Sequence, residues 1–410
     1  MPELASVIVT NGTIFDSTGT PPYPGSVLID GDRIRAVVKQ DHSLPPAAKR
    51  IDAEGGTIMP GLIDCHDHQT YHNTFGFLPV QWRLPRDVLI MRSVVAGCDA
   101  LRHGVTTIRE MGAPGATNIA MKRAVDEGII VGPRIVSCGC PLAITGGHAY
   151  EICVEVDGFD QVRRMARQQL RDGADFVKLM ASNEKPIPGK DEQTVPQFTL
   201  DELRAAVEEA HEAGVKVAVH VCGSRAIERC LDAGVDSIEH AVYLNRDLAQ
   251  RMAEQGVFYT PTLGIYRANF DPHWQRGNGK AAFCRRLAED HIRSFAIAVE
   301  VGLRWTIGTD AIVPIATEMQ HLVDAGLDHE TVLLAATRTN AELIERSKDL
   351  GTIEVGKLAD IIVVYGNPLE DLSALSKVQT VIQNGVVCDP NQLLPMLPSQ
   401  TPPPPPNNLR

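Results

Sequence analysis

The chain has 410 residues, 44% hydrophobic and 22% charged, which is the make-up of a globular protein large enough for one big domain and a smaller one. With 51 acidic against 39 basic residues its net charge is −12, which argues against a nucleic-acid surface. Nine cysteines without a C-x-x-C, no basic-then-apolar leader and no apolar run of about 18 residues make the expectation a cytoplasmic protein with free thiols and no membrane span.

Residues 1–59 read as short strands and turns. Ser6-Val7-Ile8-Val9 leads to a turn at Asn11-Gly12, and Val27-Leu28-Ile29 passes through Asp30-Gly31-Asp32 into Arg33–Val38, a hairpin signal. From Pro60 the rhythm changes to apolar strands alternating with amphipathic helices. The strand candidates are Leu62–His68, Val105–Met111, Arg134–Gly139, Phe176–Ala181, Val215–Val221, Ser237–Tyr243, Val257–Leu263 and Trp305–Asp310. Thr199–Ala210 is the clearest helix, with Thr199 and Glu202 spaced as a capping box. Eight strands, each trailed by a helix, imply an α/β fold, a closed (β/α)8 TIM barrel over residues 60–350. An open doubly wound sheet is the alternative, but it would carry a Gly-rich phosphate loop after its first strand, and none is present.

From Gly351 short strands return, at Ala359–Val364 and Val378–Val387. Residues 351–390 are expected to pair with residues 1–59 in a small β-sandwich domain. The tail, 391–410, holds five consecutive prolines and can be neither helix nor sheet there.

Barrels of this kind keep their chemistry at the C-terminal ends of the strands. Strand one ends in His66 and His68, which share a face because side chains alternate with period two. Strand four carries Lys178, strand five ends in His220, strand six in His240 and strand eight in Asp310. One histidine in an apolar strand is usually a core residue; four histidines, a lysine and an aspartate, all at strand ends, form a pattern. His211-Glu212 begins a zincin H-E-x-x-H, but Val215 occupies the final position and the motif fails. His72, His103, His211, His273, His291, His321 and His329 fall outside the pattern and read as surface or packing residues.

These stretches resemble the amidohydrolase superfamily of metal-dependent hydrolases. They are Pro60–His68, Val177-Lys178, Val219-His220, Glu239-His240, Gly308–Ala311 and the return Gly351–Asp360. Within it, Thr145-Gly146-Gly147-His148 and the long loop after strand seven are most similar to the prolidase-like and ochratoxinase-like dipeptidase and amidase group. The resemblance implies two divalent ions, zinc being the expected metal. His66, His68 and Asp310 would hold one, and His220 and His240 the other. Lys178, carboxylated at N6, would bridge them, since an ammonium cannot ligate and burial favours the reactive neutral amine. It further implies hydrolysis of an amide bond in a small N-acyl amino acid or dipeptide, ochratoxin-like amides included. A metal-bridging hydroxide would be the nucleophile and Asp310 the proton shuttle.

His148, in a Gly-Gly loop, and Tyr243, three residues beyond His240, are second candidates as catalytic and substrate-binding groups, each able to donate a hydrogen bond to the oxyanion. Arg83, Arg86 and Arg267 are candidates for a substrate carboxylate. Two other readings compete: cyclic amide or imidazolone ring opening or deamination, whose enzymes often lack the strand-four lysine and use one metal, and a non-catalytic scaffold, which would have lost ligands. The expected partner is a small-molecule amide or dipeptide, with a homo-oligomer and neither nucleic acid nor membrane.

Overall fold

A computed structural model of the chain describes residues 6–39, 49–71, 84–187, 190–268, 281–311 and 313–394. It begins with β1 (Val7–Ile14), β2 (Tyr23–Asp30), β3 (Arg33–Lys39), β4 (Lys49–Asp52) and β5 (Thr57–Pro60). The Asp30–Arg33 hairpin forms as the Asp-Gly pair predicts, with Gly31 at φ 61°. Asn11-Gly12 differs from expectation. It is an irregularity inside β1, with Asn11 at φ 55° and the register shifted between Val9 and Gly12. A Cβ on Gly12 would lie 2.8 Å from the Ile58 side chain, so glycine here lets β1 approach β5.

The central region supplies β6 (Leu62–Asp67), β7 (Val105–Glu110), β8 (Arg134–Ser137), β9 (Leu142–Ala143) and β10 (Val154–Glu155). It continues with β11 (Val177–Met180), β12 (Ser182–Ile187), β13 (Lys190–Pro196), β14 (Val217–Val221), β15 (Ser237–His240) and β16 (Phe258–Thr260). Two parallel sheets result, ordered β6-β7-β8 and β10-β9-β11-β14-β15-β16. Backbone bonds run between them: Asp175 N donates to Ser137 O (2.7 Å), Tyr259 pairs with Trp305, and Cys65 N donates to Ile307 O (2.9 Å). Helices follow the strands, among them Arg86–Arg102, Thr117–Asp126, Phe159–Asp172, Leu200–Glu212, Ser224–Ala233 and Arg246–Gln255. The Thr199/Glu202 capping box is formed in both directions, and Gly173, Gly234 and Gly256 close their helices in the left-handed region.

The largest core lies between these sheets and helices. Val177, Leu179, Val217, Val219 and Ile238 meet Leu203, Ala206, Ile227, Leu231 and Met252 there. The antiparallel β12–β13 hairpin after β11 is an insertion that periodicity did not reveal. The expected eighth strand, Trp305–Asp310, makes one parallel bridge at Trp305 and is otherwise irregular.

The chain returns as β17 (Ile361–Val364), β18 (Val378–Gln383) and β19 (Val386–Cys388). In hydrogen-bonding terms the strands of the two chain ends make one eight-stranded sheet, β19-β18-β17-β5-β1-β2-β3 with β4 beside β1, where the sequence suggested a sandwich. β1 makes this possible because its first half pairs with β4 and its last residues with β5. A separate core of Val7, Val9, Ile14, Val27, Ile29, Ile58, Ile361 and Val363 joins the two ends. Among the described residues, no helix is long and apolar enough to cross a membrane. All nine cysteines are free thiols.

Candidate metal centre

The Leu62–Asp67 strand is buried throughout, and its period of two turns His66 inward, with His68 beyond its end. The side chains of His66, His68 and Asp310 converge, and one ligand atom of each lies within 4.8 Å of the others. Asp310 Oδ1 is 3.4 Å from His66 Nε2 and 3.5 Å from His68 Nε2. Both rings are anchored from behind. His68 Nδ1–H donates to Gly112 O (2.8 Å) and His66 Nδ1–H to Glu239 Oε2 (3.0 Å). Each anchor selects the tautomer that leaves Nε2 as a lone-pair donor facing Asp310. Burial pushes His68 down to about 3, so it is neutral at physiological pH. For Asp310, burial acts upward, but His66, His68 and Lys178 outweigh it and hold the carboxyl below its ordinary value. Two imidazoles with Nε2 turned inward and a carboxylate form a donor set for a divalent cation such as zinc.

Local chain geometry brings Asp310 to this point. Asp64 accepts from His66 N (3.0 Å), Thr309 N (3.2 Å) and Thr309 Oγ1 (2.7 Å), tying β6 to the segment after Trp305. Asp310 N donates to His66 O (2.7 Å). Only glycine fits at 308, where a Cβ would be 2.4 Å from His66 Cβ and 2.7 Å from His66 N. Asp310 and Ala311 then adopt φ 54° and 57°, a conformation that non-glycine residues enter at a cost of about 1–3 kcal/mol.

His220 and His240 form the other side. Their ring centroids are 4.5 Å apart, and His240 is 4.9 Å from His66. The Thr262 hydroxyl donates to Pro261 O (2.5 Å), so it accepts from His240 Nδ1–H at 2.7 Å and leaves His240 Nε2 free. Burial, with the neighbouring histidines and Lys178, holds both rings well below their ordinary pKa. Lys178 is 1% exposed, and its Nζ has no hydrogen-bond partner among the described residues. Burial pushes it down to about 8; Glu239 acts upward and Arg109 downward.

His148 stacks flat on His220, centroids 4.1 Å apart and planes at 12°, with its backbone N–H on Gln197 Oε1 (3.0 Å). Tyr243 is buried with Cys222, Val242 and Tyr266. Arg267 reaches His321 Nδ1 (2.8 Å) and Asp324 (3.6 Å) on the helix Ile315–Asp324, so its fork is held away from a free-carboxylate role. Arg86 is exposed and packs over Gly115; Arg83, His72 and His273 lie outside the described residues. His211 bonds Asp236 (2.8 Å) on the surface. His291 is fully buried against the Tyr266 ring and reads as packing.

Sequence reasoning missed the groups that hold the candidate ligands. Arg109 is an arginine inside the wholly buried strand Val105–Glu110, which by itself signals a buried partner. Glu318, also fully buried, accepts from Leu263 N (2.6 Å) and Gly264 N (2.7 Å), and so fixes the loop that carries Thr262.

The amidohydrolase family model matches residues 57–388. The ochratoxinase of Aspergillus niger is 27% identical, covering 92% of this chain and 85% of that protein; its crystal structure has a TM-score of 0.80 at 25% identity, over 93% of this chain and 95% of the other. A Xaa-Pro dipeptidase with bound methionine in its active site gives a TM-score of 0.84 at 29% identity, over 94% of this chain and 100% of the other. A prolidase complexed with N-methylphosphonate-L-proline gives 0.85 at 30%, over 94% and 99%.

Proposed function

The chain belongs to the amidohydrolase family and is a hydrolase of that superfamily, and from that premise we propose that it cleaves the amide bond of a small N-acyl amino acid or dipeptide, ochratoxin-like amides included. The relatives that span nearly the whole chain support this reading: one is an ochratoxinase, two are a Xaa-Pro dipeptidase and a prolidase. We read the two parallel sheets as one (β/α)8 barrel over residues 60–350. Residues 1–59 and 351–390 would form a separate β domain. We also read the protein as a cytoplasmic homo-oligomer, which its free thiols suit.

The observation that carries the two-metal reading is Lys178 Nζ, buried with no partner among the described residues beside five other ligand-type side chains. An ammonium there is desolvated and unpaired, which is costly; a carbamate on the same nitrogen would carry two ligating oxygens. His66, His68 and Asp310 would hold one ion, and His220, His240 and carboxylated Lys178 would complete the second site, with zinc as the metal. Bound there, the ions would polarise the amide carbonyl and lower the pKa of a coordinated water. Asp310 would take the proton from the attacking water and deliver it to the departing nitrogen. His148 and Tyr243 would donate hydrogen bonds to the carbonyl oxygen as charge develops on it.

The enzymes of the ring-opening alternative often use one ion and lack a lysine at the position of Lys178. The test is metal content per chain together with turnover on a panel of N-acyl amino acids, dipeptides including Xaa-Pro, an ochratoxin-like amide and cyclic amides. Two ions and turnover of a linear amide support the proposal. Full turnover in a metal-free sample, or turnover of cyclic amides alone, overturns it.

A further inference from the structure

We propose that Glu239 and Arg109 are positioning residues that hold His66 in its ligating tautomer and orientation. The inference rests on the metal reading above and adds the part of the molecule that prepares His66 for it. Glu239 is fully buried in the barrel interior, and each of its oxygens is engaged: Oε2 by His66 Nδ1–H (3.0 Å), Oε1 by Arg109 Nη1 (3.0 Å) and by the Ser237 hydroxyl (2.8 Å). Arg109 is 2% exposed and closes the array, donating through Nη2 to Ser237 Oγ (2.8 Å) and lying over the Phe176 ring at 4.5 Å. Every contact of the carboxylate is therefore fixed by a second contact, which leaves it one position relative to His66.

Strand geometry shows how specific this arrangement is. Ser237 and Glu239 share the inward face of β15 by alternation, so the next residue, His240, would turn outward. Its φ of 70° breaks the alternation, and both neighbours reach His66: Glu239 through Nδ1, His240 with its ring 4.9 Å away. A carboxylate that served only the interior would not need this strained step beside it. An arginine rather than a lysine stands opposite because its fork meets the carboxylate and the serine hydroxyl together.

The test is zinc affinity of the full-length apo protein, measured by competition with a chelating dye, with thermal melting of the same metal-free samples. Replacing both residues by apolar ones (Arg109→Met with Glu239→Leu) removes the acceptor from His66 Nδ1 and avoids leaving one charge unpaired in the interior. The double variant is expected to melt close to the wild type while one of its zinc sites loses about 10–100-fold in affinity, the usual effect of removing an outer partner of a ligating histidine. Glu239→Asp keeps the charge and the Arg109 pair but draws the carboxylate back from Nδ1, and should weaken zinc in the same direction; it serves as the test if the double variant does not fold. Zinc affinity within threefold of the wild type, in whichever variant folds, overturns the proposal. A wild type that binds no zinc overturns instead the metal reading beneath it, so the two failures are distinct.

Discussion

Replacing Lys178 with methionine should make the metal-free protein more stable and the enzyme inactive. The lysine is enclosed, and burial lowers its pKa from the ordinary 10.5 to about 8, with Glu239 and Asp310 opposing the fall and Arg109 adding to it. The sign follows from the proton count. Between about 8 and 10.5 the unfolded chain holds a proton that the folded chain has released, so stability rises with pH across that window. Below 8 both states are protonated and the full penalty of the buried ammonium is present. From 10.5 to about 8, at about 1.36 kcal/mol per pH unit, that penalty is about 3 kcal/mol. Methionine fills a similar volume without the charge, so Lys178→Met should recover much of it at pH 7 and little of it above pH 10. The assay is thermal or urea unfolding of metal-free wild type and variant at both pH values, in carbon dioxide-depleted buffer. Metal content and turnover are then measured after zinc is restored with bicarbonate. A variant no more stable than wild type at pH 7, or one that still binds two ions and turns over substrate, would refute the reasoning.

Asp310→Asn keeps the size of the side chain but cannot take a proton, and should lower kcat by at least the ~10²–10⁴-fold that general acid–base catalysis contributes; near wild-type kcat in a fully metallated sample would pass the proton role to His148. Because Asp310 is held below its ordinary pKa, an acid limb at or above the usual aspartate range should report the coordinated water and move when manganese replaces zinc; a limb there that does not move with the metal would belong to Asp310 and count against its lowered pKa. Gly308→Ala places a methyl 2.4 Å from His66 Cβ and 2.7 Å from a backbone nitrogen that cannot rotate away, so it should cost about 3 kcal/mol, the upper end for overpacking, and weaken metal binding, as unfolding and zinc titration will read. Thr199→Ala removes one half of an exposed capping box and should cost about 1 kcal/mol with kcat unchanged, which makes it a control for stability loss remote from the site.

What the sequence discloses here follows from what is local. The apolar runs of β6, β7, β11, β14 and β15 are legible because each is a short buried stretch bounded by glycine or a capped helix, and four of them contain the candidate ligands His66, Lys178, His220 and His240. The β12–β13 hairpin is not legible. Its residues, from Ser182 to Pro196, mix charges with three prolines and show neither period. The partner of β5 is not legible either, because β17 lies some 300 residues away in sequence and its register is set by packing between the two chain ends.

The same limit explains why the candidate ligands are visible in the sequence and the groups that bond them are not. A ligand announces itself by residue type at a strand end; a support is defined by a contact. Arg109 and Glu239 are 130 residues apart and Asp64 and Thr309 are 245 apart, and nothing in either member of a pair names the other. Strand periodicity even points the wrong way at two positions. It would send His240 outward next to an inward Glu239, and it would make Trp305–Asp310 a regular strand. Instead His240, Thr262 and Asp310 all take left-handed φ values, of 70°, 54° and 54°. These residues lie where strands of the parallel sheet and the Trp305 segment end, and each belongs to the candidate metal centre or bonds a member of it. Strain of about 1–3 kcal/mol at each persists only where surrounding contacts over-determine the backbone. Here those contacts are the Asp64 bonds to Thr309, the Glu318 bonds to Leu263 and Gly264, and the Tyr259 hydroxyl on His240 O. The regular part of each strand is thus written in its own residues, while the departure from regularity that aims the ligand is written in residues elsewhere in the chain.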